Sequence, residues 1–436
     1  MRLRVHPARG PLAGVIAPPG DKSISHRAAL FGGLAEGETE IIGFLEGDDT
    51  RATLAAMQAL GAEVERRGDR ILVRGGRLHA PRGSLDLGNA GTGIRLLTGA
   101  LAGRPDLQGA ELVLTGDASL RGRPMARIVE PLARMGASIE STAGCAPLTV
   151  RPRPLTGERF ELGVASAQVK SALLLAGLSA EGRTEVVSPA PSRDHTERLL
   201  PAFDVAVDVR GLRASLRGPA TLRGTTVTVP GDLSSATFPL IAALLVPGST
   251  IRLRGVGINP TRAGVLHILG DMVEAGAVEV RRVEGGAGDE PVADLHIRQL
   301  GPVRGLDISP EWVPLAIDEF PALMALAAAA VGTTRIRGAE ELRVKESDRI
   351  AAMTTQLRRL GVEIEEAPDG ATIVGGAVRA GRVDAEGDHR VAMSLAVLGL
   401  VAEGPIEIEG ADWIATSYPG FVEDLTSLGA DVEVEG

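Results

Sequence analysis

The sequence contains very little lysine. Only three of its 46 basic residues are lysines, Lys22, Lys170 and Lys345, and all the others are arginine. A lysine amine is a compact charge that can be tuned to exchange a proton, whereas an arginine guanidinium keeps its proton. Compositional drift toward arginine could leave one isolated lysine by chance, but each of these three lies in an unusual polar run. We therefore interpret the lysines as markers of a functional site.

Cysteine, histidine and aromatic residues are also scarce. A single cysteine, Cys145, excludes an internal disulfide framework and a multi-cysteine metal site. The seven histidines show no HExxH spacing, so we expect no metal. Ten aromatic residues offer few rings for base stacking, and a net charge of −10 gives no overall basic face. Nucleic acid is therefore not an expected partner, whereas a local cluster of positive charge would suit small anionic molecules.

Long apolar runs are absent as well. The longest, around residues 322–331, is roughly half of what a bilayer requires. The first residues, MRLRVHPARGPLAG, contain no apolar stretch of the kind found in a secretory signal. We therefore expect a cytoplasmic protein with no membrane partner.

Two sequence patterns each recur six times. In one, an amphipathic helix pattern leads through a glycine or small-residue turn into a short alternating strand. In the other, a polar turn opens a helix that is apolar almost all round, so that this helix must be buried in its own domain. The first pattern begins near residues 54, 129, 197, 266, 353 and 421, with no glycine in its third copy, and the second near residues 20, 88, 165, 231, 317 and 387.

These repeats predict an α/β protein of six units in two domains, with three units in each domain. The break between the domains falls near residues 229–232, after the third unit. The segment before Pro18 is predicted to be a strand separated from its neighbours, and we assign it to the second half. The predicted domains are residues 20–230, and residues 1–19 together with 231–436.

The polar openings of the buried helices are the candidate binding positions. The first turn of a helix has free N–H groups and a partial positive charge, so several openings that face one point would bind an anion. Capping is the alternative, and for Asp232 and Ser234 it explains the sequence equally well. It does not explain Lys22 and Arg27 in GDKSISHR, because cations are unfavourable in a first helical turn unless an anion lies there.

Polar runs in the first half supply further candidate ligands. In GNAGTG the glycines, among them Gly91, would let a ligand approach the backbone closely. Asn89 and Thr92 could form hydrogen bonds in the same place. The first half also offers Arg123 in GRPM, and Ser166, Gln168 and Lys170 in SAQVKSA.

The second half contains candidates for acid–base chemistry. Asp318 and the glutamate after it open the fifth buried helix. In RVKESDR, Lys345 and Arg349 are four residues apart, and on one helix they would share a face, with Glu346 beside them. A surface helix with internal ion pairs is the alternative. Arg390 in GDHR adds a cation at the sixth opening, so the set suits a substrate with several negative charges, and no nucleotide-binding fingerprint accompanies it.

These runs, in this order, resemble those of the 5-enolpyruvylshikimate-3-phosphate synthases. The shared runs are DKSISHR, GNAGT, LTGD with RPM, SAQVKSA, DE before an apolar helix, and RVKESDR with GDHR. The resemblance covers nearly the whole chain, and SAQVKSA, PSRDHTE and PGDLSSATFPL are similar to the second, glyphosate-tolerant class. It implies an inside-out α/β barrel fold of two domains, each of three βαβαββ-type units with buried helices, and an active site in the interdomain cleft.

The resemblance also implies a reaction. Enzymes of this family transfer the enolpyruvyl group of phosphoenolpyruvate to the 5-hydroxyl of shikimate 3-phosphate and release phosphate, on the shikimate pathway to aromatic amino acids. They use no metal and no organic cofactor, and we expect a monomer. Asp318 is the implied base for the hydroxyl and Glu346, aided by Lys22, the implied proton donor to carbon. Whether Lys22 or Glu346 delivers the proton stays open, and Lys345 is a further catalytic candidate.

The implied binding residues fall into two overlapping sets. Several of them are arginines, which clamp carboxylate and phosphate groups in a bidentate manner. Those for shikimate 3-phosphate are Lys22, Ser23, Arg27, Ser166, Gln168, Arg193, Asp318 and Lys345. Those for phosphoenolpyruvate are Lys22, Gly91, Arg123, Gln168, Arg349 and Arg390.

The chain departs from the family pattern at a few positions. Thr416 stands where many members carry a further lysine, and Arg193 where the other class often has an aromatic ring. Gly91 occupies a position at which tolerant enzymes can carry alanine, so we predict appreciable glyphosate sensitivity. Lys170 matches no required ligand contact of the family, and we predict that it is a supporting charge.

Two rival interpretations remain. UDP-N-acetylglucosamine enolpyruvyl transferase shares the fold and the enolpyruvyl donor, but it typically has asparagine where Ser23 stands and a reactive cysteine in a mobile loop. Cys145 instead lies in a turn-to-strand context. A non-enzymatic repeat scaffold would present exposed apolar faces rather than charges at helix openings.

Overall fold

The computed structural model describes residues 1–435, apart from the side chain of Ala287. The chain forms two compact units. The N-terminal unit comprises Gly20–Pro230 and Gly285–Glu290, and all remaining residues form the C-terminal unit. The sequence prediction placed residues 285–290 in the C-terminal domain, and this is corrected because the segment packs against a short helix at residues 195–199. The chain begins with two strands of the C-terminal unit, β1 (Arg2–Val5) and β2 (Ala13–Ile16).

The N-terminal unit repeats one arrangement three times. A buried helix is followed by a strand, a second helix and a β-hairpin. The elements are α1 (Lys22–Leu34), β3 (Gly37–Ile42), α2 (Asp48–Ala59), β4 (Glu63–Arg67), β5 (Arg70–Gly75), β6 (Leu85–Asp86), α3 (Gly91–Leu101), β7 (Leu112–Thr115), α4 (Ala118–Gly122), α5 (Ala126–Arg134), β8 (Ser138–Thr142), β9 (Cys145–Arg151), β10 (Leu155–Thr156), β11 (Arg159–Glu161), α6 (Ala167–Gly177), β12 (Ala180–Val187), α7 (His195–Leu199), β13 (Asp208–Arg210), β14 (Arg213–Gly218) and β15 (Thr226–Thr228).

The three sheets of this unit share one topology. Each contains an antiparallel set of three strands, such as β3, β5 and β4. At one edge a strand from a neighbouring repeat adds in parallel: β6 pairs with β7, β10 and β11 pair with β12, and β15 returns to pair with β3. The pairings thus form a closed cycle, which explains why the unit needs all three repeats.

The C-terminal unit contains the other three repeats. Short 3₁₀ turns connect some of its elements, among them one at Glu340–Val344. The elements are α8 (Leu233–Leu245), β16 (Thr250–Gly257), α9 (Gly264–Met272), β17 (Val278–Val283), β18 (Val292–Arg298), α10 (Val313–Ala316), α11 (Phe320–Ala328), β19 (Thr333–Ile336), α12 (Arg349–Arg359), β20 (Glu363–Ala367), β21 (Gly370–Val374), β22 (Gly381–Asp384), α13 (His389–Gly399), β23 (Ile406–Glu409), α14 (Phe421–Ser427) and β24 (Val432–Glu435).

The N-terminal strands complete this second cycle. Strand β1 lies between β23 and β24 and is antiparallel to both, so the sixth repeat takes its last strand from the start of the chain. Strand β2 then pairs in parallel with β16 of the fourth repeat. β22 pairs in parallel with β23, and the isolated parallel bridges Arg304–Val331 and Asp307–Arg335 join the fourth repeat to the fifth. The fold therefore has the predicted six α/β repeats.

Six buried helices form the cores of the two units. In α8 every residue from Leu233 to Leu244 is buried. A helix that is apolar on all sides is stable only when enclosed, and each large apolar side chain contributes about 2 kcal/mol on burial. In the N-terminal unit α3 and α6 approach closely, because a Cβ atom at Gly99 would lie 2.2 Å from the carbonyl oxygen of Ala172. Gly99 therefore keeps the openings of these two helices side by side.

The third amphipathic helix explains the missing glycine of its repeat. It is short, α7 followed by a 3₁₀ turn at Leu200–Phe203, and it ends at Asp204 with φ of 67°. Gly61 and Gly136 adopt the corresponding positive φ in the first two repeats. Aspartate tolerates this left-handed conformation better than most residues, so the turn survives without glycine. Among the described residues no helix is both long and apolar enough to cross a membrane.

Candidate active site

In the N-terminal unit, side-chain hydrogen bonds join the openings of the three buried helices. Gln168 at the start of α6 donates from Nε2 to Thr92 Oγ1 of α3 at 3.0 Å. Arg95 of α3 donates from Nη1 to Gln168 Oε1 at 2.8 Å. Arg27 of α1 donates from Nη2 to Ser171 Oγ of α6 at 2.8 Å. The polar runs DKSISHR, GNAGTG and SAQVKSA, far apart in sequence, therefore meet at one end of the unit.

Arg27 is enclosed among these openings. It also donates from Nε to Thr196 Oγ1 at 2.7 Å and from Nη1 to the carbonyl oxygen of Ser23 at 2.8 Å. Burial lowers the pKa of Arg27 to about 10, although Glu197 opposes the shift. The guanidinium thus stays charged at neutral pH but is poorly solvated. An anionic ligand beside it would relieve that cost.

Lys22 lies at the first turn of α1. Its Nζ atom forms an ion pair with Asp49 Oδ2 of α2 at 2.5 Å. Behind it, His26 forms a 2.8 Å hydrogen bond through Nδ1 with Thr53 Oγ1. Burial, together with Lys22 and Arg27, holds the pKa of His26 well below its ordinary value, so this histidine is neutral.

Gly91 and Arg123 are neighbours in the second repeat. Arg123 donates through Nη2 to Asn89 Oδ1, and through Nη1 to the carbonyl oxygen of Asn89 at 3.4 Å. A Cβ atom at Gly91 would lie 2.8 Å from Arg123 Nη1. Glycine therefore leaves room for the guanidinium over the start of α3.

Ser166 and Arg193 complete the N-terminal set. Ser166 caps α6, its Oγ atom accepting from the N–H of Val169 at 3.4 Å. Arg193 precedes α7, and its charge contributes to the lowered pKa of Arg27. Two guanidinium groups whose charges repel each other would both be stabilised by an anion bound between them.

In the C-terminal unit, Asp318 is the point where charged side chains converge. Its Oδ1 atom lies 3.2 Å from Arg349 Nη1 and 3.8 Å from Lys345 Nζ. Its carbonyl oxygen accepts from Arg390 Nη1 at 3.0 Å. Two predicted site residues, Lys345 and Arg349, thus contact the Asp318 carboxylate just before α11, and a third, Arg390, bonds to the Asp318 backbone.

The structure corrects the expected helix through RVKESDR. Lys345 follows the 3₁₀ turn at Glu340–Val344, and α12 begins only at Arg349. The cause is Asp348, whose Oδ1 atom caps α12 by accepting from the N–H of Ala351 at 3.0 Å. Lys345 and Arg349 therefore do not share a helix face, and they meet because both point at Asp318.

Arg349 is fully enclosed by carboxylates. It donates from Nε to Asp388 Oδ2 at 2.8 Å and from Nη2 to Glu346 Oε2 at 2.7 Å, in addition to its contact with Asp318. Burial alone would lower the pKa of Arg349, but these three acids together raise it above its ordinary value. Burial likewise opposes ionisation of Asp388, and Arg349 overrides it, so that the pKa of Asp388 is lowered.

Asp232 and Ser234 at the opening of α8 serve as structural groups. Asp232 Oδ1 accepts from the N–H of Ser234 at 2.8 Å and from Arg262 Nη2 at 2.9 Å. Arg262 also donates to Ser234 Oγ at 2.6 Å, and this hydroxyl donates to buried Glu319. Of the two interpretations left open by the sequence, the structure favours capping. Glu319 in turn lies 3.9 Å from Arg390, which it helps to hold.

Two further positions were singled out by the sequence. Thr416 lies in a 3₁₀ turn and donates from Oγ1 to the carbonyl oxygen of Trp413 at 2.8 Å. Its side chain is thus directed to its own turn. Cys145 is partly buried at the start of β9, with Sγ 3.8 Å from the carbonyl oxygen of Gly122.

Sequence reasoning did not single out Asp49, Arg95 or Asp388, although each contacts a predicted site residue. The sequence feature that could have identified them is a charged residue in a segment that is otherwise apolar. Such a charge becomes buried and therefore needs a bonded partner. Arg95 stands inside the apolar run GIRLL, and Asp388 precedes the buried helix α13. Their partners cannot be predicted from local spacing. Asp388 bonds to Arg349, 39 residues away, and Arg95 bonds to Gln168, 73 residues away.

Comparison with known proteins adds to this geometry. A family model described as EPSP synthase (3-phosphoshikimate 1-carboxyvinyltransferase) matches residues 7–425. A protein of Acidithiobacillus ferrooxidans named 3-phosphoshikimate 1-carboxyvinyltransferase is 52% identical over 427 residues, 97% of each chain. One of Gloeobacter violaceus with the same name is 53% identical over 432 residues, 97% of this chain and 98% of its own. A solved structure of EPSP synthase from Acinetobacter baumannii matches with a TM-score of 0.89 at 43% identity, both chains being covered completely.

Proposed function

Because the chain belongs to the family of EPSP synthase (3-phosphoshikimate 1-carboxyvinyltransferase), we propose that it transfers the enolpyruvyl group of phosphoenolpyruvate to the 5-hydroxyl of shikimate 3-phosphate. Phosphate is the second product. The observation that carries the proposal is the bonded set of charges at the buried-helix openings of each unit. Without an anionic substrate, burying so many cations at helix starts would be unfavourable.

In this proposal the N-terminal set binds shikimate 3-phosphate. Arg27 and Arg193 supply charge, and Lys22 and the neighbouring Ser23 supply hydrogen-bond donors at the opening of α1. Ser166 and Gln168 add polar groups at the opening of α6. The support is geometric: Gln168 and Arg27 are both tied to neighbouring helices, so that these groups are held in place before a ligand arrives.

A second set of residues is proposed for phosphoenolpyruvate. We assign Lys22, Gly91, Arg123 and Gln168 of the N-terminal unit to it, together with Arg349 and Arg390 of the C-terminal unit. Arg123 lies over the start of α3 where Gly91 leaves space, and Arg390 is held by the carbonyl oxygen of Asp318. Paired guanidinium groups suit a ligand that carries both a carboxylate and a phosphate.

Proton transfer is assigned to the remaining groups. Asp318 is the proposed base for the 5-hydroxyl, since its carboxylate is held within 4 Å of Arg349 and Lys345. Glu346, aided by Lys22, is the candidate donor to the vinyl carbon. The two differ in their partners, because Lys22 pairs with Asp49 whereas Glu346 pairs with Arg349.

One assay tests the function. Phosphate release from phosphoenolpyruvate is measured with shikimate 3-phosphate, then with UDP-N-acetylglucosamine, then with neither. We expect release only in the first case, and release only with the UDP-sugar would overturn the proposal. Asp318→Asn should lose activity, whereas Asp307→Asn, which removes an exposed ion pair with Arg337 in the same unit, should retain it.

Glyphosate gives a second readout. We propose that the parental enzyme is inhibited, because Gly91 leaves open the space that an alanine methyl would fill beside Arg123. An inhibition constant far above the KM for phosphoenolpyruvate would contradict this. Membership of the tolerant class, the monomeric state and the cytoplasmic location stay predictions from the sequence.

A further inference from the structure

Each of four consecutive side chains of the short helix α7 bonds to another element, and the proposed function uses none of these four side chains. All four partners lie in the N-terminal unit, and they come from α1, α6, the loop before α7 and the segment 285–290. Helix α7 thus holds these four parts of the N-terminal unit together. The bonds join His195 Nδ1 to Glu290 Oε1 (2.6 Å), Arg27 Nε to Thr196 Oγ1 (2.7 Å), Lys170 Nζ to Glu197 Oε1 (2.6 Å) and Arg198 Nε to Asp194 Oδ2 (2.9 Å).

The pair of Lys170 and Glu197 is the most enclosed of these. The side chains are only 7% and 4% exposed. The ammonium also donates to the carbonyl oxygen of Ser192 at 3.3 Å. Ser192 directly precedes Arg193, so a single charged group joins α6, α7 and the backbone from which Arg193 extends.

The opposite side of α7 is held by the segment 285–290. Gly288 has φ of 54°, and a Cβ atom there would lie 2.3 Å from the carbonyl oxygen of Arg198. Asp289 accepts through its carbonyl oxygen from Arg198 Nη1 at 3.1 Å. With α7 fixed on this side, Lys170 and Glu197 determine where the loop before α7 lies.

We propose that Lys170 is a positioning residue for shikimate 3-phosphate that acts through Arg193. Its ammonium, anchored by Glu197, holds the carbonyl oxygen of Ser192 and thereby fixes the backbone from which Arg193 extends. The inference rests on the proposed function, in which Arg193 contacts the substrate. It also explains why lysine stands here in an arginine-rich chain: a compact ammonium fits an enclosed site with two acceptors, whereas a planar guanidinium needs more room.

A double-mutant cycle tests this inference. Binding of shikimate 3-phosphate is measured by calorimetry for the parent, Lys170→Met, Arg193→Ala and the double variant. We expect Lys170→Met to weaken binding about tenfold in the parental background, as for the loss of a charge-assisted hydrogen bond. In the Arg193→Ala background the same change should alter binding by less than about twofold, because the side chain that Lys170 is proposed to position is already absent.

The outcomes are distinct. An equal loss in both backgrounds would show that Lys170 acts independently of Arg193, and no loss in the parental background would show a role in stability alone. Either result overturns the inference. If the parent itself does not bind shikimate 3-phosphate, the proposed function fails instead.

Two further variants guard against misfolding. Lys170→Met with Glu197→Met removes both partners of this pair, so that neither is left buried without the other, and apolar replacement of both partners is usually well tolerated. It should fold and still bind shikimate 3-phosphate more weakly, and parental affinity in it would contradict the proposal. Arg104→Met is the control, because Arg104 bonds to Asp106 and to the carbonyl oxygen of Gly76 beyond the other end of α3. It should lower the melting temperature without weakening substrate binding.

Discussion

Asp388 and Asp348 form a matched pair for testing how the C-terminal site is built. Both cap a helix, α13 and α12, and both bond to an arginine. Asp388 is fully buried with Arg349, whereas the side chain of Asp348 is 38% exposed and pairs with Arg343. Replacing each by asparagine removes the charge but keeps a good capping residue. The two variants therefore differ mainly in the burial of the lost ion pair.

The expected losses differ severalfold. Removing one partner of a buried pair costs about 3 kcal/mol, because an uncompensated charge is left inside the protein. Arg349 keeps Glu346 and Asp318 as partners, which places Asp388→Asn at or below that figure. For Asp348→Asn we expect about 0.5 kcal/mol, as for other solvent-exposed pairs. A loss of about 3 kcal/mol corresponds to a melting temperature lower by roughly 6 to 12 °C in a unit of this size.

The assay is urea unfolding followed by tryptophan fluorescence. Both tryptophans, Trp312 and Trp413, lie in the C-terminal unit, so the signal reports on the unit that carries the substitution. Asp388→Asn should also raise the KM for phosphoenolpyruvate, since Arg349 loses the acid that orients its Nε atom. Equal losses of stability in the two variants would refute the reasoning.

The pH dependence of this difference follows from the pKa of Asp388. Because that pKa is lowered in the folded protein, its contribution is present above the unfolded value of about 3.9 and is lost as the pH falls through the folded value. The parent and Asp388→Asn should therefore converge in stability only below about pH 4. Convergence near neutral pH would mean that another group is responsible.

Three shorter predictions concern the N-terminal site and the lysines. The lowered pKa of His26 means that stability falls as the pH drops below about 6.5, by up to about 1.4 kcal/mol per pH unit, and His26→Gln should flatten this slope in unfolding followed by circular dichroism. Gly91→Ala should displace Arg123 and raise both the KM for phosphoenolpyruvate and the glyphosate inhibition constant, and lower values would contradict the geometry. Lys22→Arg and Lys345→Arg should each lower kcat by about 100-fold or more, so parental turnover in either variant would exclude a proton-transfer or anion-positioning role.

The repeats could be predicted from the sequence because they rest on local periodicity. All six buried helices begin within a few residues of the predicted openings, α1 at Lys22 and α13 at His389 among them. The fold class and the family assignment are confirmed. The prediction that a ligand approaches the backbone at Gly91 stays a prediction, although the structure shows that Arg123 occupies the space beside it.

Local reasoning was wrong where a cap or a distant partner decides the structure. RVKESDR has helical spacing, but Asp348 starts α12 four residues after Lys345, and the charges meet through Asp318 instead. The segment 285–290 carries no periodic signal, and its place is set by His195 and Arg198, whose partners lie 95 and 91 residues further along the chain. Such contacts depend on tertiary packing, which spacing in one sequence does not encode.

The rarity of lysine has a structural basis in this protein. All three ammonium groups lie within 4 Å of a carboxylate in a largely enclosed place: Lys22 with Asp49, Lys170 with Glu197, and Lys345 with Asp318. Exposed arginines instead bond to carboxylates through two nitrogen atoms, as Arg67 does with Glu65. A guanidinium suits such bidentate pairs and also fills the buried site of Arg349, whereas a lysine ammonium is a compact charge that can exchange a proton. Only Lys22 and Lys345 are proposed to act on the substrates, and Lys170 is proposed to position Arg193.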